Sequence, residues 1–303
     1  MERFYNVGGH VFSLSMPDDN QMWHVMENYL PFEIDAAAGE KTKCIFGITV
    51  TSDFPKGNMD YLCGNVPENP CETYTKVYAL AGGYVFEVYM DAEDSNPCML
   101  WLNSDFSTGI LKERDNNGYG RFPVDNALML TYALRTARES TLEMHASVVS
   151  EGGYGYLSLG QSGAGKSTHS RMWLENISGS RLLNDDNPIV RVFENGDVIV
   201  YGSPWSGKTP CYVNDSCRVG GFIRIVKSKS NEIHRMELLE SYAALYESCS
   251  GMNLNTETTD FLHATIESVL EKIPVWRLGC LPDADAARVC HSCVKHGNIV
   301  TSE

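Results

Sequence analysis

Residues 154–168 read Tyr154-Gly155-Tyr156-Leu157-Ser158-Leu159, then Gly160-Gln161-Ser162-Gly163-Ala164-Gly165-Lys166-Ser167-Thr168. The first six residues have the composition of a strand, Lys166–Glu175 reads as a helix, and the segment between fits G-x-x-x-x-G-K-[ST]. Each part of that pattern has a physical use. Glycines let backbone N–H groups close around a phosphate, the helix N-terminus adds positive potential, a lysine reaches the outer phosphates, and a hydroxyl holds Mg²⁺. The reading therefore assigns Gly160, Ser162, Gly163, Ala164, Gly165, Lys166, Ser167 and Thr168 to a bound nucleotide, with ATP and Mg²⁺ as the expected ligands.

A nucleotide site also needs carboxylates. Leu182-Leu183-Asn184-Asp185-Asp186 supplies two adjacent acids just past a short apolar strand, Arg181–Leu183. In a strand-end loop such a pair can divide the work, one acid on the metal and one taking a proton from an acceptor hydroxyl. Around this centre the chain alternates strands and helices. Leu142–Val149 reads as one strand, and Ile189–Glu194 and Asp197–Tyr201 flank the hairpin signal Asn195-Gly196. Val219–Val226 reads as a further strand. Helices are expected near Glu237–Cys249 and over Thr258–Ile273, the latter with Phe261, Leu262, Ile266, Val269 and Leu270 as its apolar stripe. Interleaved strands and helices imply an α/β domain.

The first half differs. Val11–Met16, Lys43–Val50, Tyr74–Leu80, Tyr84–Met90 and Met99–Leu102 read as short strands separated by Pro, Asn, Asp and Gly clusters, with one helix over Gln21–Leu30 carrying Trp23, Met26 and Leu30 on one face. The turn Asp115-Asn116-Asn117-Gly118 marks the expected boundary, and Pro123–Arg138 reads as the helix that follows it. The expectation is a β-rich domain over residues 1–120 and a nucleotide-binding α/β domain over residues 121–303.

Length and composition agree with that division. The chain has 303 residues, 43% hydrophobic and 21% charged, as ordinary folded domains have. Its formal charge of −15 repels phosphate backbones and anionic headgroups, so nucleic acid and membrane are not expected partners. The start reads as strand, not as an export signal, and no apolar stretch approaches the ~18–20 residues of a membrane span; a cytoplasmic protein is expected. The ten cysteines are then expected to be reduced. Cys290-His291-Ser292-Cys293 lacks a second pair to complete a zinc site and lies in a helical stretch, Asp283–Val294, where packing explains it. Whether the chain forms a homo-oligomer is open.

Met144-His145-Ala146-Ser147, the loop GQSGAGKSTHS, the acids after Asn184, and a hairpin leading to Gly207-Lys208-Thr209 together resemble the nucleotide core shared by HPr kinase/phosphorylase and ATP-dependent phosphoenolpyruvate carboxykinase. The resemblance covers about residues 124–226. It implies a phosphoenolpyruvate-carboxykinase-like P-loop domain beside the β-rich one, with His145 at the metal–phosphate centre. It further implies Asp185 as the catalytic base, Asp186 with Ser167 as the metal ligands, and Lys208 on the γ-phosphate. Two departures matter. Thr168 stands where HPr kinases usually carry an acid, and the carboxykinases' oxaloacetate-binding portion has no recognisable counterpart. The expectation is an ATP/Mg²⁺ kinase acting on a hydroxyl, a serine by resemblance, of a protein, peptide or small molecule. The alternative is an ATP-binding interaction module without turnover.

Overall fold

The hairpin that opens the chain shows how local chemistry sets the first sheet. Strands β1 (Glu2–Val7) and β2 (His10–Ser15) pair antiparallel with Val7 opposite His10. Between them Gly8 and Gly9 have φ of 58° and 81°, the left-handed backbone that a two-residue hairpin turn requires. In this computed structural model the described residues are 1–39, 41–65, 69–80, 82–113, 119–207, 209–252 and 254–297. The expected boundary turn at 115–118 and Lys208 lie outside them.

The chain divides into two units, Met1–Arg135 and Thr136–Glu303. In the first, β3 (Glu33–Ile34), β4 (Phe46–Thr51), β5 (Asp60–Gly64), β6 (Tyr74–Leu80), β7 (Gly83–Tyr89), β8 (Cys98–Asn103) and β9 (Thr108–Lys112) join the hairpin. Among the described residues these form a nine-stranded sheet in the order β3-β1-β2-β4-β9-β8-β7-β6-β5. A four-residue helix α1 (Ala36–Gly39) follows β3, and α2 (Phe122–Thr136) closes the unit. Buried Tyr132 of α2 donates its hydroxyl to the Val7 carbonyl at 2.9 Å, and Asn28 and Tyr29 both donate to Asp125. These bonds tie α2 to the β-rich unit, so the division falls at the helix's end and not before it.

One expected helix is different. Gln21–Leu30 forms two 3₁₀ turns, Gln21–Val25 and Glu27–Phe32, separated by Met26 and with Pro31 inside the second. The period of three brings Trp23, Met26 and Tyr29 to the buried side, and Leu30 is left 59% exposed.

The second unit contains β10 (Thr141–Glu143), β11 (Ala146–Glu151), β12 (Tyr154–Leu159), α3 (Lys166–Asn176), β13 (Arg181–Asp186), β14 (Ile189–Val192), β15 (Val198–Tyr201), β16 (Ser216–Lys227), β17 (Glu232–Arg235), α4 (Leu238–Tyr246), α5 (Thr256–Leu270), β18 (Val275–Cys280) and α6 (Ala284–Gly297). The main strand order is β10-β14-β15-β16-β12-β11-β13, with β18 parallel to β16 and β17 antiparallel to β18. This is a mixed α/β unit. Alternate residues feed two cores. Leu157, Leu159 and Phe222 pack with Ala244, Leu245, Ile266 and Val269 of α4 and α5. Tyr156, Ile223 and Ile225 pack with Trp173 of α3 and with Ala287, Cys290 and Val294 of α6. Among the described residues no helix is long and apolar enough to cross a membrane.

Two strands differ from expectation in ways that shape the site. Leu142–Val149 is broken at Met144 and His145, because β10 pairs with β14 whereas β11 lies between β12 and β13. At the break the N–H of His145 donates to the Ser248 carbonyl at 2.6 Å. The strand expected at Arg181–Leu183 continues through Asp186, so the two acids belong to β13 and not to a loop beyond it.

Candidate functional site

Strand β12 delivers the glycine-rich loop directly to the N-terminus of α3. Gly160, Gly163 and Gly165 have φ of 142°, 76° and 112°, conformations that L side chains rarely adopt. At Gly160 a methyl would also lie 3.0 Å from the Ala164 side chain. A bond from the Ala164 N–H to the Gln161 carbonyl, 3.0 Å, closes the turn. Lys166, 8% exposed, donates its ammonium to the Gly160 carbonyl at 2.8 Å and more weakly to that of Gln161. Burial lowers its pKa below the ordinary lysine value, and the charges of Asp186 and Asp185 act the other way.

Strand β13 brings the acids to the same place. Ser167 donates its hydroxyl to Asp185 Oδ1 at 3.0 Å. Asp186 turns to the other side, where its Oδ1 lies 3.5 Å from His145 Nδ1 and its Oδ2 accepts from Asn187. Its φ of 147° is one that a residue with a Cβ adopts only under strain. Burial, then the Lys166 charge, holds the His145 pKa below the usual imidazole value, so this ring is neutral at pH 7.

The loop after β15 completes the wall. Buried Asn184 donates to the Ser203 hydroxyl and the Trp205 carbonyl, both at 3.1 Å, and Ser203 donates to the Asn187 carbonyl. That clamp buries Trp205 and lets the Gly207 N–H reach the Asp185 carbonyl at 2.7 Å. A Cβ at Gly207 would stand 3.2 Å from the Asp186 carboxyl carbon, so a larger residue would crowd that acid.

His145, Ser162, Gly163, Gly165, Lys166, Ser167, Thr168, Asp185 and Asp186 line one cavity of about 460 Å³, with Gly207 and Thr209. Ala164 and Gly160 face two adjoining cavities. A second cavity, about 400 Å³ and largely apolar, shares Gly163, Gly165 and Thr168 with the first and is walled by Met172, Ile225, Leu281 and Pro282. A third, about 280 Å³, adjoins Gly160, Gln161, Ser162 and His145. Lys208, expected at the γ-phosphate, lies outside the described residues. The Ser167 hydroxyl, expected with Asp186 on the metal, donates to Asp185.

Sequence reasoning missed the apolar side cavity, since Met172, Ile225, Leu281 and Pro282 come from separate elements that no local motif marks. It also missed Glu143, a charge within the strand read over 142–149. Glu143 is 1% exposed, and neither carboxyl oxygen has a partner of good hydrogen-bond geometry among the described residues. Burial pushes its pKa well above the ordinary carboxylate range; the Ser250 side chain opposes that shift and the Asp186 charge adds to it.

No family model matches the chain, and no curated protein does. Among solved structures, the HPr(Ser) kinase/phosphatase from Coxiella burnetii matches with a TM-score of 0.33 and 14% identity, over 52% of this chain and 90% of that one.

Proposed function

We propose that the second unit is an ATP-dependent phosphotransferase of the HPr-kinase-like kind, transferring the γ-phosphoryl group to a hydroxyl. The observation that carries this reading is the division of the acid pair about one cavity: Asp185 on the Ser167 hydroxyl, Asp186 on the opposite side beside His145. A loop that only holds nucleotide needs the first acid and has no use for the second. The apolar cavity sharing Thr168 and Gly165 fits a nucleoside base continuing from the phosphates.

Ser167 Oγ and the Asp185 carboxylate are hard oxygen donors of the kind Mg²⁺ takes, and they stand close enough to share one ion. Bound there, Mg²⁺ would neutralise charge on the β- and γ-phosphates. Lys166 leaves its carbonyl partners for the phosphates, and the loop amides hold them in line. The acceptor oxygen forms a bond to Pγ, the bond from Pγ to the β,γ-bridging oxygen breaks with ADP leaving, and the hydroxyl proton passes to Asp186. His145 is neutral and orients that carboxylate. This division of roles reverses the one implied by family resemblance.

Labelled ATP supplied with hydroxyl metabolites, peptides and lysate proteins tests it, with nucleotide affinity measured alongside. Asp186→Asn should abolish transfer and change ATP affinity less than about threefold, since a base acts mainly in the transition state. Asp185→Asn should lose the Mg²⁺-dependent part of ATP binding. The opposite pattern would return Asp185 to the role of base, and ATP binding without transfer to any acceptor would make this an interaction module.

A further inference from the structure

The third cavity lies at the end of the loop opposite to the apolar one. Its walls are Gly160, Gln161 and Ser162, His145, Leu159 and Ala244, and the pair Arg224 and Glu247. Lys166 donates to the Gly160 carbonyl, and the lysine of such a loop serves the outer phosphates. This cavity therefore meets the γ-phosphate end of the site, as an acceptor pocket must.

Its charges are of both signs. Arg224 on β16 holds Glu247 at 2.8 Å, the guanidinium 29% and the carboxylate 54% exposed. Glu247 caps the C-terminus of the nine-residue helix α4, whose carbonyl end adds negative potential on its side. A simple anion on Arg224 would face Glu247 and the helix end, and a simple cation on Glu247 would face Arg224. A molecule carrying both charges on adjacent atoms replaces one ion pair with two. At about 280 Å³ the space suits a metabolite, below the size of pockets that take drug-sized ligands.

We infer that the acceptor is a small zwitterion, a free hydroxy-amino acid, with its carboxylate on Arg224, its ammonium on Glu247 and its hydroxyl toward His145 and Asp186. This rests on the phosphotransfer reading and names its substrate class. The product is the O-phospho amino acid with ADP, the hydroxyl proton going to Asp186.

The test uses the full chain loaded with a non-hydrolysable ATP analogue and titrated with L-serine, L-threonine and L-homoserine. At least one should bind, and Arg224→Gln should weaken it at least about tenfold, the loss expected for a charge-assisted pair. Glu247→Gln should weaken the free amino acid by a similar factor and leave the N-acetyl derivative, already poor, unchanged. Arg218→Gln, an exposed partner of Asp197, serves as a control that alters neither. No binding of any free amino acid, or equal binding of N-acetyl and amide-blocked forms, overturns the inference whatever the enzyme does. Labelled ATP then separates the two claims: transfer to a serine peptide but not to free amino acids sinks the zwitterion and keeps the kinase, whereas amino-acid binding without transfer sinks the kinase.

Discussion

Lys166 holds an ammonium against carbonyls of its own loop, a position that a phosphate would contest. Lys166→Ala should raise the Kd for ATP between about tenfold and a hundredfold, as loss of a hydrogen bond to a charged group does, with the melting temperature little changed. Calorimetric titration beside a thermal melt checks both. Glu143 makes a prediction of opposite character. Its folded pKa lies above that of the unfolded chain, so the folded state keeps a proton that the unfolded state releases. Stability from this group is complete below the unfolded value and is lost as pH rises through the folded one. Glu143→Gln removes that titration. Melting temperatures of the two proteins should differ least at acid pH, and the variant should gain on the wild type as pH rises above the ordinary carboxylate range. A gap that stays constant over that range would show Glu143 to be paired.

At the scale of elements, α3 is fixed by Trp173, fully buried, stacked on Tyr156 at 5.2 Å and met edge-on by His169 and His291. Trp173→Ala should cost about 3–5 kcal/mol in urea unfolding, in the range of large core truncations, and should loosen ATP binding by freeing the helix that ends the loop. Loss of stability with unchanged affinity would show the loop to hold its shape unaided. The same scale decides what could be read in advance. The span of β12, the start of α3 and the turn at Asn195-Gly196 are stated by glycines and lysine in local order. Strands β1, β5 and β18 are not: Glu2, Arg3 and Asn6, or Arg277 and Gly279, break the apolar pattern, and pairing with distant partners supplies what the local residues lack. The break at His145 was hidden for the same reason. Leu142–Val149 alternates apolar and polar residues as a single strand would, and only the change of partner, from β14 for β10 to β12 and β13 for β11, interrupts it. The acids were legible as a pair; which of them Ser167 faces was not, since that depends on the twist of β13 past the loop.

For the whole molecule the charge of −15 acts on every nucleotide that approaches. Long-range repulsion slows a polyanion before contact, and salt screens it within about 10 Å at 0.1 M. The association rate of a fluorescent ATP analogue should therefore rise about twofold or more between 20 and 200 mM salt, the reverse of an anion steered by a basic surface. Stopped-flow mixing at the two ionic strengths measures it. A falling rate would mean that the cations near the loop, Lys166, Arg171, Arg224 and Lys227, dominate the field a ligand meets on arrival.

The twisted backbone at Asp186 sets stability and activity at odds. A glycine there would adopt the same φ without strain, so Asp186→Gly should raise the unfolding free energy by up to about 1–3 kcal/mol while leaving no carboxylate beside His145. Directed evolution of this chain for heat resistance alone would find that substitution rewarding, and on the proposed assignment of Asp186 as base its most robust descendants would transfer no phosphate.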